Sequence, residues 1–148
     1  GYLILSSRRP RPTTLFLLQQ VAQAIRSRLE QALRDHQITG VQHTILAIVG
    51  ARQGTSSAEL SRRFFVTPQT MNEVIAGLER RGLIARSVTP GNRRILGISL
   101  TPEGRGMLQI CDEVADRIEA EAFQAMAPAD YAELRRLLRT LLPEVGRP

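Results

Sequence analysis

Apolar residues recur at the spacing of an α-helix through the first third of the chain. The stripe that starts near Thr14 and continues to about Asp35 predicts a long amphipathic helix. Thr39 can cap a second helix, and the side chain of Gln42, three residues later, can accept a hydrogen bond from the Thr39 N–H. The apolar side of this segment continues to Gly54. The pattern therefore predicts a long helix followed by a helix of roughly ten residues.

Two shorter helices are predicted in the middle of the chain. Ser56 and Glu59 have the spacing of a capping box and open the first of them. Thr67 is placed to cap the second, with a proline at its first helical position, and Gly82 ends it. The apolar residues of the second helix lie at i, i+3, i+4 and i+7, namely Met71, Val74, Ile75 and Leu78. Its outward side is therefore polar.

The last part of the chain predicts a hairpin and two more helices. Residues 83–88 and 95–100 have the pattern of strands, and the Pro-Gly-Asn core of residues 89–94 favours a turn between them. A helix from Thr101 to about Ala127 and a final amphipathic helix from Pro128 to near Pro143 follow. The predicted fold class is mainly α with a small β-hairpin.

Two short helices joined by a tight turn and followed by a basic hairpin match a winged helix-turn-helix. The long flanking helices carry more apolar surface than one such unit can cover, which predicts a helical interface between two copies of the chain. We divide the chain into an extended basic arm (1–13), a helical dimerisation region (14–38 and 102–148) and a winged helix-turn-helix DNA-binding domain (39–101).

The charge of the chain favours a polyanionic partner. Its 148 residues carry 20 cations against 14 acids, and every cation is arginine, which suits phosphate. Residues 52–105 hold nine arginines against four acids, whereas residues 106–148 hold five against eight. The basic middle segment is therefore the predicted DNA-facing surface.

The second short helix is the predicted recognition helix, whose N-terminal end contacts base edges. Its Gln and Asn side chains can bind adenine, Thr can touch a thymine methyl group, and Glu can accept from cytosine. Helix starts suit phosphate and the hairpin arginines suit the minor groove, while Arg62 and Arg86 either contact phosphate or pair with acids. The predicted DNA-binding residues are Ser56, Ser57, Arg62, Thr67, Gln69, Thr70, Asn72, Glu73, Arg86, Arg93 and Arg94.

Residues 57–61, 67–72, 78–86, 92–94 and 99–104 follow one another in an order and spacing that resembles a known family. The Leu-Glu-Arg-Arg-Gly-Leu-Ile and Leu-Thr-Pro-Glu-Gly stretches carry most of the likeness, which is to the multiple-antibiotic-resistance regulators (MarR family) of bacteria. The resemblance implies a dimeric DNA-binding regulator, usually a repressor. In that family a small molecule, often phenolic or aromatic, or oxidation releases the protein from DNA.

The wing departs from the family pattern at one position. The family usually has an acidic residue just before its paired arginines, and this chain has Asn92 there. A hydrogen bond from Arg93 to Asn92 is weaker than the ion pair it replaces, because the acceptor is uncharged. The resemblance therefore implies a wing that is present but held less rigidly.

The cysteine and the histidines give little support for a sensor or a metal site. Cys111 shares a predicted helical stripe with Ile110 and Val114, which favours an inert core thiol over a redox sensor. His36 and His43 lack metal-ligand spacing on one helix, and His43 is predicted to be a core or surface residue rather than part of an effector cavity. The sequence predicts neither a metal nor a cofactor.

The pattern contains no Gly-rich phosphate loop and no catalytic triad, so an enzyme is not predicted. An alternative is a winged-helix scaffold that binds protein partners rather than DNA, although the basic hairpin favours DNA. No membrane span or signal peptide is predicted, and a single cysteine suits a reducing compartment. The sequence therefore predicts a cytoplasmic, homodimeric regulator that binds an inverted-repeat operator. The family resemblance implies that it is a repressor and that a small aromatic effector releases it from DNA.

Overall fold

The computed structural model describes residues 10–64, 66–89 and 92–145, and of residues 88–89, 92–96 and 144–145 it describes the backbone alone. The described residues confirm the predicted order and add a two-residue strand and a short 3₁₀ turn, Arg34–His36. The elements are α1 (Thr14–Leu33), α2 (Gly40–Ala51), β1 (Thr55–Ser56), α3 (Ser57–Phe64), α4 (Pro68–Arg80), β2 (Ile84–Thr89), β3 (Asn92–Leu100), α5 (Pro102–Phe123) and α6 (Pro128–Val145).

Threonine caps begin four of the helices. Each cap has an extended backbone, and its hydroxyl oxygen accepts the N–H of the residue three positions later at 3.0 to 3.2 Å. The caps are Thr13, Thr39, Thr67 and Thr101. Gln42 returns a 2.9 Å bond to the Thr39 amide, so the predicted capping box of α2 is confirmed.

The predicted capping box of α3 is half correct. The Ser56 hydroxyl accepts the Glu59 N–H at 3.1 Å, but the Glu59 carboxylate lies 3.4 Å from the guanidinium of Arg52. Ser56 belongs to β1, which pairs antiparallel with β3 in a sheet of order β1-β3-β2. This strand was not predicted, because two residues are too few for an alternating pattern.

The second strand of the hairpin is longer than predicted, whereas the first has the predicted six residues and begins one residue later. β2 and β3 pair antiparallel, with Ile84 opposite Leu100, and the register shifts between Val88 and Thr89. Because β3 begins at Asn92, the predicted six-residue turn over 89–94 is wrong, and residues 92–94 belong to the strand. Residues 90 and 91 lie outside the described part of the chain.

A continuous apolar core joins α2, α3, α4, the sheet and α5. α4 contributes three side chains that are almost completely buried, Met71, Ile75 and Leu78. The other buried members are Leu33, Ile38, Ile45, Leu46, Val49, Leu60, Leu83, Ile84, Ile98, Leu100, Cys111 and Val114. One face of α4 is therefore fixed to the core, and the opposite face is left free.

The exit of α4 is attached to the start of α5. Gly82 ends α4 with a φ of +73°, a conformation that favours glycine, and its carbonyl accepts the Thr101 hydroxyl. The Thr101 N–H donates to the carbonyl of Leu83 at 3.1 Å. A Cβ at Gly104 would lie 1.9 Å from the same carbonyl oxygen, so only glycine lets α5 approach this closely. The Leu-Thr-Pro-Glu-Gly stretch thus makes a tight junction.

The final helix contacts α5 through its first two turns. The Tyr131 ring lies 5.3 Å from that of Phe123, and its hydroxyl donates to Glu119 at 2.6 Å. α6 continues through Pro143 to Val145, slightly beyond the predicted end, although Pro143 has no N–H to donate to the carbonyl of Arg139. None of the described helices is both long and apolar enough to cross a membrane.

Candidate nucleic-acid interface

The free face of α4 is polar at its N-terminal end. Burial of Met71, Ile75 and Leu78 fixes the rotation of the helix about its axis, because side chains three and four residues apart share one face. The four predicted base-contacting side chains, Gln69, Thr70, Asn72 and Glu73, are all exposed. The structure therefore brings them together on one surface, as the apolar periodicity predicts.

Thr67 and Thr70 fix the first turn of this surface. The Thr67 oxygen accepts the Thr70 N–H at 3.1 Å, and the Thr67 hydroxyl donates to the Thr70 hydroxyl oxygen at 3.0 Å. Both residues are exposed. Because the Thr70 hydroxyl accepts here, its own hydrogen remains available to a partner outside the helix.

Ser57 at the start of α3 reaches across to α4. Its hydroxyl donates to Oδ1 of Asn72 at 2.6 Å, and the Ser57 side chain is partly buried. Ser56 is also partly buried and serves as the cap of α3. The two neighbouring serines, which the sequence groups together as caps close to phosphate, therefore make different contacts.

The predicted phosphate-contacting arginines occupy different environments. Arg62 lies exposed near the end of α3, where a cation also suits the negative end of the helix dipole. The Arg86 side chain is 26% exposed, and its Nε lies 3.7 Å from Oε2 of Glu79 on α4. No acceptor among the described residues is within hydrogen-bonding distance of this buried Nε. Phosphate contact by Arg86 stays a prediction, and the structure favours its pairing with an acid.

Glu79 is a functional neighbour that the sequence did not single out. It is the second-last residue of α4, whereas Arg86 lies on β2, and the pair forms only because the chain reverses at Gly82. The seven-residue separation of opposite charges was the only signal, and it is common on solvated surfaces.

The backbone of Asn92, Arg93 and Arg94 forms the first residues of β3, at the hairpin end. Their side chains lie outside the described part of the structure. The minor-groove roles of Arg93 and Arg94, and the weaker wing contact of Asn92, stay predictions.

Cys111 is completely buried in the core. Burial raises the pKa of its thiol, the charge of nearby Asp112 raises it further, and Arg81 lowers it. A thiol that stays protonated is a weak nucleophile. In the residues that the structure describes, no group of three or more His, Cys, Asp or Glu side chains could hold a metal ion.

A family model described as the MarR family matches residues 36–95. The HTH-type transcriptional repressor Rv2887 of Mycobacterium tuberculosis is 31% identical over 126 residues, which span 85% of this chain and 91% of the repressor. The chain belongs to the MarR family. The resemblance read from the sequence is confirmed, and so is the winged-helix fold.

Three solved structures illustrate the relation of this MarR-family chain to known proteins. Rv2887 in complex with p-aminosalicylic acid has a TM-score of 0.72 at 30% identity and covers 86% of this chain and 97% of its own. BpsR of Bordetella bronchiseptica, whose DNA binding is regulated by 6-hydroxynicotinic acid, has a TM-score of 0.75 at 26% identity, with coverage of 87% and 92%. A MarR variant of E. coli complexed with operator DNA has a TM-score of 0.75 at 22% identity, with coverage of 86% and 91%, and shares the fold.

Proposed function

We propose that this MarR-family transcriptional regulator is a repressor that binds an inverted-repeat operator as a homodimer. The observation that carries the proposal is the exposed polar end of α4 above a buried apolar stripe. Such a helix can enter a major groove without losing core contacts. The 31% identical Rv2887 is itself named a transcriptional repressor. We propose that the protein acts by binding alone, in the cytoplasm, and catalyses no reaction.

The second copy is needed to cover two apolar faces. Five large side chains at the start of α1 are 43 to 63% exposed, and four on α6 are 43 to 67% exposed. They are Leu15, Phe16, Leu17, Leu18 and Val21, and then Leu137, Leu138, Leu141 and Leu142. Faces this apolar favour association, so we assign 14–38 and 102–148 to dimerisation, 39–101 to DNA binding and 1–13 to a basic arm. A two-fold dimer would set its recognition helices about 34 Å apart, one turn of DNA.

The predicted contacts fall into three groups. Gln69, Thr70, Asn72 and Glu73 would contact base edges and select the sequence. The helix starts at Ser56, Ser57 and Thr67, with Arg62 and Arg86, would lie near phosphate and make binding depend strongly on salt. Arg93 and Arg94 on the wing would enter the minor groove.

We also propose a small aromatic effector, since the Rv2887 structure is a complex with p-aminosalicylic acid and 6-hydroxynicotinic acid regulates the DNA binding of BpsR. A groove of about 440 Å³ beside α4 is lined by the apolar side chains of Val41, Phe64, Val66 and Val74 and by the polar residues Thr70 and Glu73. Its volume is in the range of small-molecule sites. A ligand there would touch α4, the helix proposed to contact DNA. If the ligand binds one position of α4 more tightly than another, it shifts the population of dimers toward that position.

The test is selection of operators from random duplex DNA, followed by fluorescence anisotropy at about 150 mM salt. We expect an inverted repeat bound at least about a thousandfold more tightly than scrambled duplex. Equal weak binding to every duplex would contradict the proposal and favour a scaffold for protein partners. Titration of the protein–operator complex with p-aminosalicylate tests the effector, which should release the DNA. Val74→Phe fills the groove and should therefore reduce this release of DNA.

A further inference from the structure

The contact between Ser57 and Asn72 joins the two helices of the helix-turn-helix on its exposed side. The Ser57 hydroxyl donates to Oδ1 of Asn72 at 2.6 Å. Neither side chain caps a helix, because Ser56 caps α3 and Thr67 caps α4. The bond is therefore not needed to begin either helix, and its effect is to hold the carboxamide of Asn72.

A serine hydroxyl has only one hydrogen. While Ser57 donates that hydrogen to Asn72, it cannot donate it to a phosphate oxygen as well. The predicted phosphate contact of Ser57 and its observed contact with Asn72 are thus alternatives for the hydroxyl, and the structure holds the second.

The bond also decides which edge Asn72 presents to a base. A carboxamide has one acceptor oxygen and an NH₂ group with two donors. Because the Ser57 hydroxyl occupies one lone-pair site of Oδ1, the remaining edge of the exposed carboxamide is rich in donors. In the major groove, purines offer the acceptor N7, whereas cytosine offers only the donor N4–H₂.

We infer that Ser57 and Asn72 form one recognition unit, in which Ser57 is a positioning residue that makes Asn72 favour a purine over cytosine. This inference rests on the proposed function, since it names the specificity of the same surface. Without the Ser57 hydroxyl, the carboxamide can turn and offer its oxygen to cytosine. Ser57 thus controls base choice without touching a base.

The test uses the full chain and the operator recovered by selection, with every base substituted at each position of a half-site. Wild type should prefer a purine at one position, and Asn72→Ala should abolish that preference. Ser57→Ala should reduce the purine-to-cytosine affinity ratio there about threefold to tenfold, the worth of one hydrogen bond. Ser57→Thr keeps a hydroxyl and should restore the ratio. Ser27→Ala, an exposed serine on α1, is the matched control.

Three results would overturn the inference. A uniform loss of affinity for all bases in Ser57→Ala, present equally in the Asn72→Ala background, would make Ser57 a phosphate contact. An unchanged ratio in Ser57→Ala, with folding verified by circular dichroism, would show that Asn72 acts alone. Failure of wild type to select any operator would overturn the proposed function and this inference with it. The first two results, in contrast, would leave the proposed function intact, because wild type would still select an operator.

Discussion

Nε2 of His43 lies 2.8 Å from Oδ1 of Asp112, and this contact joins α2 to α5. The histidine side chain is only 13% exposed, whereas the aspartate side chain is 56% exposed. The contact therefore connects the helix-turn-helix region to the long helix assigned to dimerisation. A contact of this kind cannot be read from the sequence, since the partners are 69 positions apart.

We expect Asp112→Ala to lower the free energy of unfolding by about 1 kcal/mol, the usual net worth of one hydrogen bond. Urea unfolding at neutral pH measures it, and a double-mutant cycle with His43→Ala isolates the pair. Glu113→Ala, at an exposed neighbouring position, is the control and should change stability by less than about 0.5 kcal/mol. Strictly additive single effects would mean that the two side chains do not interact.

Gly104→Ala should destabilise the protein by about 2 to 4 kcal/mol. The added methyl group would lie 1.9 Å from the carbonyl oxygen of Leu83, and backbone cannot move aside cheaply. The matched control is Gly106→Ala in the same helix, where nothing lies within 4 Å of an added Cβ. Thermal unfolding should show a gain of about 0.5 to 1 kcal/mol for the control. Equal effects of the two substitutions would contradict the tight junction between α4 and α5.

Arg93→Ala should weaken operator binding by about 1 to 3 kcal/mol, because the wing loses a minor-groove cation. Fluorescence anisotropy with the selected operator measures the loss. Arg136→Ala removes the same charge on α6, where Arg136 donates to Glu133 at 2.8 Å, and should leave affinity almost unchanged. If both variants lose the same affinity, the effect comes from net charge and not from the wing.

Gln69→Ala and Arg62→Ala should separate base contacts from phosphate contacts. Gln69 is exposed on the first turn of α4, so its removal should change which bases are preferred more than it changes the salt dependence. Arg62→Ala should leave base preference intact and reduce the salt slope by about one. Anisotropy titrations at several salt concentrations measure both quantities. The reverse pattern would make Gln69 a phosphate contact.

The buried thiol of Cys111 should make stability fall at alkaline pH. Its folded pKa is raised above the ordinary value of 9.0, chiefly by burial. Above pH 9 the unfolded chain loses this proton while the folded chain keeps it, so the free energy of unfolding decreases until the folded pKa is passed. Urea unfolding between pH 8 and about pH 10 should therefore show a steeper decline for wild type than for Cys111→Ala. Parallel declines would mean that the thiol contributes nothing, and rapid alkylation of the native protein would contradict its burial.

The helices and their caps could be predicted because the forces that make them are local. The stripe containing Met71, Ile75 and Leu78 and the cap at Thr67 lie within one segment, and both are confirmed. The pattern also placed Gln69 and Asn72 on the exposed face of α4, as the structure shows.

The contacts that decide how these residues act could not be predicted, because they depend on how elements cross. The bond from Ser57 to Asn72 requires the packing of α3 on α4, and the approach of Arg86 to Glu79 requires the reversal at Gly82. The strand at Thr55 and Ser56 exists only because β3 lies beside it. None of these leaves a periodic signal in the sequence.

Because of the close junction at Gly104, a small rotation of α5 would be transmitted to α4. α5 has 22 residues and is therefore roughly 33 Å long at about 1.5 Å per residue. Since its first turn is attached to the exit of α4, a rotation of about 5° around its far end would carry the base of the recognition helix through about 3 Å. In a two-fold dimer both helices would swing at once. A rotation of α5 by a few degrees, applied far from DNA, would be enough to move the two recognition helices out of register with successive major grooves.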